Sequence, residues 1–196
     1  MTILSEGLKN QVWRRVPNLI TLSRVVLTCI VNYYILTYFG KIAVPLFIFV
    51  LILFTDYLDG KIARLYGKVS PGGAVFDLLA DFFFMFLSYL VLHSFRIIPF
   101  WFVCVVFGKF IEFVFTSFYL RRLSNGSKVF IFDCLGRFVA AAFYLLPALL
   151  YSSHQLSPAI YTFCINRLTH IICFFSLSSS VYRIRRCFRR QQDVKI

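Results

Sequence analysis

The sequence predicts an all-α membrane protein: a bundle of six transmembrane helices, preceded by an amphipathic helix at the bilayer surface, with both termini in the cytoplasm. Three observations predict it. Of 196 residues, 60% are hydrophobic and only 15% are charged, whereas a soluble domain of this size keeps much of its surface charged. The mean hydropathy is +0.79. The apolar residues fall into six continuous runs of a length that spans about 30 Å of hydrocarbon at 1.5 Å per residue. Lipid offers backbone groups no partners, so such runs fold as helices. A closed barrel would show alternation instead.

The elements follow in order. Residues 2–15 are expected to lie on the membrane surface, with Leu4, Leu8 and Val12 on one side and Trp13 at the interface. This segment has no long apolar core, so it is not read as a cleavable signal. The predicted spans are 18–39, 42–64, 73–93, 98–120, 129–151 and 158–182. Pro17, Pro45, Pro71, Pro99 and Pro158 fall near predicted helix starts, where a missing N–H costs little. A basic tail, 183–196, closes a single domain that comprises the surface helix 2–15, the six-helix bundle 16–182 and that tail. No repeat, linker or low-complexity segment interrupts it.

The net charge of +13 is a topology signal rather than a nucleic-acid footprint. With the N-terminus inside, 15 of the 21 basic residues lie on cytoplasmic segments, two (Lys41, Arg96) lie outside, and four (Arg24, Lys109, Arg137, Arg167) lie within spans. The tail basics Arg183, Arg185, Arg186, Arg189, Arg190 and Lys195 are expected to touch anionic headgroups. The six cysteines form no Cys-x-x-Cys pair and read as small buried residues. His93, His154 and His170 are scattered and suggest no shared metal.

Half of the eight acidic residues sit within 26 positions, as Asp56, Asp59, Asp77 and Asp81. Asp56 and Asp59 are three apart, and Asp77 and Asp81 four apart, so each pair shares a helix face. If the second and third helices are antiparallel neighbours, the four carboxylates meet. Capping or surface ion pairs can explain one or two such acids, but not four at this spacing. Carboxylates so placed repel unless cations neutralise them. Oxygen donors without His or Cys favour a hard ion, Mg²⁺ or Mn²⁺. Two such ions suit transfer at phosphorus, where attacking and leaving oxygens both need stabilising. Gly60, Ala63 and Gly73 leave room beside the backbone for a bulky ligand.

The stretch reads Asp56-x2-Asp59-Gly60-x2-Ala63-Arg64-x8-Gly73-x3-Asp77-x3-Asp81. It resembles the signature of the CDP-alcohol phosphotransferase family of membrane enzymes. Pro17-Asn18-Leu19-Ile20-Thr21-Leu22-Ser23-Arg24 is similar to that family's opening of the first transmembrane helix. The resemblance implies transfer of a phosphatidyl group from CDP-diacylglycerol to an alcohol, with release of CMP, in phospholipid synthesis. It implies that Asp56, Asp59 and Asp77 bind two divalent ions, and that Asp81 is the general base and a possible further ligand. Asn18, Thr21, Gly60, Ala63, Arg64, Ser70 and Gly73 would contact the nucleotide donor. It further implies a homodimer, with its site at the cytoplasmic face of a bacterial inner membrane. Lys109, Arg121, Arg122, Lys128 and Arg137 are candidates for the acceptor site, where several basic groups would suit an alcohol bearing phosphate. Glu112, Asp133 and Arg137 either form internal pairs or line that pocket. Phe82 follows Asp81 where glycerophosphate-type members carry a basic residue, and Gly126-Ser127-Lys128 keeps one lysine of their Gly-Lys-x-Lys-Thr stretch. Glycerol 3-phosphate, inositol or its phosphate, and serine all remain open as acceptors. A transporter or cation-binding protein is the competing class, though it would more often show two related halves or helices broken near the midplane.

Overall fold

The computed structural model describes residues 2–65, 71–124, 134–153 and 157–193, without side-chain surroundings for 2–17, 59, 60, 62–65, 71, 120–124, 134, 135, 158, 159, 186 and 188–193. Six helices account for nearly all of it: α1 (Thr2–Thr37), α2 (Ala43–Leu65), α3 (Pro71–Ser94), α4 (Phe100–Ser124), α5 (Cys134–Ser152) and α6 (Pro158–Asp193). No strand occurs among the described residues. Among the described residues, four helices carry stretches long and apolar enough to cross a membrane: Asn18–Thr37, Gly72–Ser94, Phe100–Tyr119 and Ile160–Arg185. Large apolar side chains such as Tyr33, Phe47, Phe115, Phe138 and Phe174 are exposed. Hydrocarbon would solvate them, whereas water would penalise so continuous an apolar surface.

Helix ends follow from local chemistry. Pro71 and Pro158 open α3 and α6, positions where proline's missing N–H is no loss. After α1, Gly40 takes a φ of 94°, the left-handed conformation that glycine adopts without strain. Between α3 and α4 the same region is occupied by Arg96, at φ 58°. That turn is held by Arg96 N–H to the His93 carbonyl (2.8 Å), Ile97 N–H to the Leu92 carbonyl (3.1 Å) and the His93 ring against the Ile98 carbonyl (2.9 Å). One boundary differs from expectation. The backbone of α1 is a single helix through position 17, where a surface helix was to end and a span to begin.

The chain divides into two compact units, Met1–Ser88 and Tyr89–Ile196. In the first, α1 turns one face inward, with Thr21, Arg24, Thr28, Val31, Asn32 and Ile35 all buried. These positions repeat at three and four residues, the spacing of a single helix stripe. Several of the polar members pair inside it: Thr28 donates to the Arg24 carbonyl (2.8 Å), and Asn32 Nδ2 donates to the Thr28 carbonyl (2.8 Å) and to Ser88 Oγ (3.2 Å), while Asn32 Oδ1 is buried without a hydrogen-bond partner among the described residues. Phe49 of α2 meets Phe84 of α3 edge-on, with ring centroids 5.9 Å apart.

In the second unit, Tyr89, Phe102 and Phe143 form an aromatic core, and the Tyr89 hydroxyl donates to the Phe143 carbonyl (2.8 Å). Helices α4 and α5 both pack on α6. Two polar clasps tie α4 to α6. The Lys109 ammonium reaches Glu112 (3.0 Å), Ser180 Oγ (2.8 Å) and the Ser176 carbonyl (3.2 Å). Buried Arg183 donates to Thr116 Oγ1, to Ser117 Oγ (2.6 Å) and to the Phe113 carbonyl (3.5 Å), and stacks on the Phe113 ring. Arg183 is therefore an interhelical residue and not the headgroup contact expected of it. The cysteines also differ from expectation. Cys29, Cys104 and Cys164 are exposed and Cys187 is buried, because a cysteine facing hydrocarbon pays no penalty for leaving the core.

Candidate active site

Among the described side chains, Asp56, Asp77 and Asp81 converge in the first unit. One carboxylate oxygen from each of Asp56, Asp77 and Asp81 can be chosen so that all lie within 4.8 Å of one another. Asp56 comes from the last turns of α2, and Asp77 and Asp81 from the first turns of α3. The helix ratchet explains why the pair on α3 stays together, since residues four apart sit one above the other. Like charges at this separation repel by on the order of 3 kcal/mol per pair at an effective dielectric of ~20, so something must offset them.

Arg24 does so in this structure. Its side chain is fully buried, and it touches all three carboxylates. Nη2 lies 3.0 Å from Asp56 Oδ1, while Nη1 lies 2.9 Å from Asp77 Oδ1 and 2.5 Å from Asp81 Oδ1. A guanidinium is planar, permanently charged and rich in donors, and so can serve several carboxylates at once. The cost of burying it is met by those partners. From the sequence alone Arg24 is merely a charge within a span, with no role in the site. Its signal was there nonetheless: an ionisable group inside a membrane helix calls for a named partner, and Arg24 ends the Pro17–Arg24 stretch.

The depths agree. Arg24 lies six residues beyond Asn18, or about 9 Å along α1. Asp77 and Asp81 lie five and nine residues beyond Gly72, or about 7 and 13 Å along α3. Asp56 is two residues short of Leu58, where the apolar part of α2 stops. Arg24, Asp56 and Asp77 thus sit nearer one end of their apolar stretches, with Asp81 about one turn deeper than Asp77.

The chemistry of this donor set fits a hard divalent ion. Two oxygens bound to the same ion at about 2.1 Å stand no more than about 4.2 Å apart, and the observed limit of 4.8 Å exceeds this only by a small side-chain adjustment. Three carboxylates against one guanidinium leave an excess of negative charge, which divalent cations would offset.

The remaining expected site residues distribute as follows. Asp59, Gly60, Ala63 and Arg64 lie on α2 with side-chain surroundings outside the described set, and Ser70 lies outside the described residues. Asn18 is exposed on α1, Thr21 is buried one turn before Arg24, and Gly73 is half-buried on α3. Among the acceptor candidates, Lys109 is held by Glu112 and α6, so Glu112 takes part in an internal pair, one of the two alternatives open for it. Arg121 and Arg122 lie on α4 without described side chains, Lys128 and Asp133 lie outside the described residues, and Arg137 is on α5 in an exposed position. A cavity of about 420 Å³ in the second unit, lined by His93, Arg96, Trp101, Asn166 and His170 among others, contains none of the expected site residues. An apolar groove of about 520 Å³ runs between α1 and α2 along Leu19, Leu22, Ser23, Val26, Leu27, Leu51 and Thr55. Ser23 and Thr55 in its lining are the chain neighbours of Arg24 and Asp56.

Two comparisons with known proteins bear on this arrangement. A CDP-diacylglycerol–glycerol-3-phosphate 3-phosphatidyltransferase from Aquifex aeolicus (strain VF5) is 36% identical over 77 residues, 38% of this chain and 41% of that protein. The chain thus matches about two-fifths of that relative's length. The model of the CDP-alcohol phosphatidyltransferase family matches residues 14–179. That range takes in Arg24, the whole aspartate stretch and all of α2 to α5, and the chain accordingly belongs to the CDP-alcohol phosphatidyltransferase family.

Proposed function

We propose that this protein transfers the phosphatidyl group of CDP-diacylglycerol to an alcohol and releases CMP. The observation that carries the reading is the gathering of Asp56, Asp77 and Asp81 within 4.8 Å, inside a chain of this family. Asp56, Asp59, Asp77 and Asp81 would hold two divalent ions, Mg²⁺ or Mn²⁺. When bound, those ions supply positive charge to the diphosphate oxygens and to the departing phosphate.

Asp81 accepts the proton of the acceptor hydroxyl, whose oxygen then forms a bond to the phosphorus that carries the diacylglycerol. The phosphoanhydride bond breaks, and CMP leaves with its electron pair. Gly60, Ala63 and Gly73 give the cytidine access to the helix surface. Asn18, Thr21, Arg64 and Ser70 orient the donor. The α1–α2 groove beside Arg24 and Asp56 supports a donor that is half lipid, because an acyl chain can lie along it while the headgroup reaches the acids. The position of Asp56 and Asp77 nearer one end of their apolar stretches supports chemistry at the interface, and the charge distribution supports the cytoplasmic side.

The acceptor is bound by basic residues of the later helices, with Arg121, Arg122, Lys128 and Arg137 as candidates. Glycerol 3-phosphate, which the Aquifex relative's name specifies, is the first acceptor to test, ahead of inositol, inositol phosphate and serine. We also propose a homodimer. The family match argues against the cation-transport alternative, which is not pursued.

The test is CMP release from CDP-diacylglycerol by purified protein with Mg²⁺ or Mn²⁺, run against each alcohol, with the lipid product identified by mass spectrometry. Metal-dependent CMP release with one alcohol incorporated is expected. Absence of CMP release with every metal and alcohol, from folded protein, would refute the reading.

A further inference from the structure

We propose that Arg24 is the internal counter-ion of the aspartate nest: it holds Asp56, Asp77 and Asp81 together in the absence of a metal, so that a divalent ion meets a site already gathered. This rests on the metal-site reading above and adds a residue to it. Three observations carry it. Arg24 is fully buried, and its two terminal nitrogens contact all three acids at 3.0 Å or less. The acids come from two helices, and Arg24 from a third, so one side chain joins α1, α2 and α3. The buried polar stripe of α1 (Thr21, Arg24, Thr28, Asn32) fixes where that side chain starts, with Thr28 bonded to the Arg24 carbonyl itself.

Charge is the physical reason. Without a cation, three carboxylates at this separation repel, and α2 and α3 would be driven apart at their acidic ends. Arg24 offsets that repulsion with a charge that cannot dissociate. The three contacts given above run to Oδ1 of each acid, and a carboxylate has two oxygens. Contact with Arg24 therefore does not exhaust their capacity as ligands. Lysine could not replace it fully, because a point charge lacks the planar fork that reaches three partners.

Arg24 is thus a positioning residue, and its loss should make the fold depend on metal. The experiment measures thermal unfolding of detergent-solubilised wild type, Arg24→Gln, Arg24→Lys and Asp56→Asn, without divalent ion and with saturating Mn²⁺. Mn²⁺ binding is followed in parallel by electron paramagnetic resonance of the free ion. Without Mn²⁺, Arg24→Gln should melt well below wild type. With Mn²⁺ the gap should shrink to about half or less, because an ion that binds only the folded state replaces the missing charge. Arg24→Lys should fall between, with the same narrowing.

A gap that stays the same with and without Mn²⁺ overturns the proposal, for Arg24 would then be ordinary interhelical packing. Should Arg24→Gln not fold at all, the same comparison made with Arg24→Lys decides the matter. If wild type binds no Mn²⁺, or Asp56→Asn binds it as well as wild type, the metal-site reading fails and this inference falls with it. Mn²⁺ binding by wild type combined with a constant gap sinks this inference alone.

Discussion

Asp81 is the most shielded of the three gathered acids, with 27% of its side chain exposed against 43% for Asp56 and 39% for Asp77. It also lies deepest along its helix. A base that must hold a proton away from water belongs at such a position, whereas acids that face an exchangeable ion belong nearer the surface. Asp81→Asn keeps the size and loses the capacity to accept a proton. Its turnover should fall by about 10²- to 10⁴-fold, while binding of CDP-diacylglycerol, measured by titration without acceptor, stays within a few-fold. Near-normal turnover would remove Asp81 from the role of base. At this scale the sequence was most informative where spacing sufficed. Residues three and four apart on a helix share a face, so the pairing of Asp77 with Asp81 was legible before any fold. Arg24 was not, because its partners are 32 to 57 positions away and nothing in α1 by itself says which charges it will meet.

The helix starts were legible where proline marks them, at Pro71 and Pro158. Two helices run on past the boundaries drawn from composition. α1 continues through position 17, and α6 continues to Asp193, so the basic residues after 183 begin on a helix rather than in a separate tail. Charge counting cannot foresee this. It assigns every arginine near a cytoplasmic end to headgroups, although a helix that continues presents some of them to a neighbour. Arg183 and Arg185 make the difference measurable. Arg183 is buried against α4 with three hydrogen bonds, and Arg185 two residues on is exposed. Arg183→Ala should destabilise the protein by about 2 kcal/mol or more, since each lost hydrogen bond is worth about 0.5–1.5 kcal/mol and the stem also packs. Arg185→Ala should change stability by less than about 0.5 kcal/mol. Thermal unfolding of the two variants in the same detergent decides between them, and equal effects would mean that the α4–α6 clasp contributes nothing.

At the scale of the whole molecule, what remains to be fixed is which side of the membrane the acids face. Among the described residues, four helices carry apolar stretches of spanning length. In α2 the apolar run is followed by Asp59, Lys61 and Arg64, and the helix itself runs on to Leu65. Its last turns, with Asp56 at their start, must therefore reach the polar headgroup region. The same holds for the first turn of α3, which follows within six residues. This end is also the one rich in Lys61, Arg64 and Lys68, while the opposite ends of these helices are flanked by Lys41 and Arg96 alone. Because basic residues resist translocation, the acid-bearing end should be cytoplasmic and the α3–α4 turn outside. A fluorescent protein fused after Lys68, between α2 and α3, should therefore fluoresce, since such reporters mature only in the cytoplasm. A phosphatase fused after Arg96, which is active only outside, should be active. The reverse pattern would put the nest on the side where no CDP-linked donor is made, and the proposed reaction could not stand even with every acid in place.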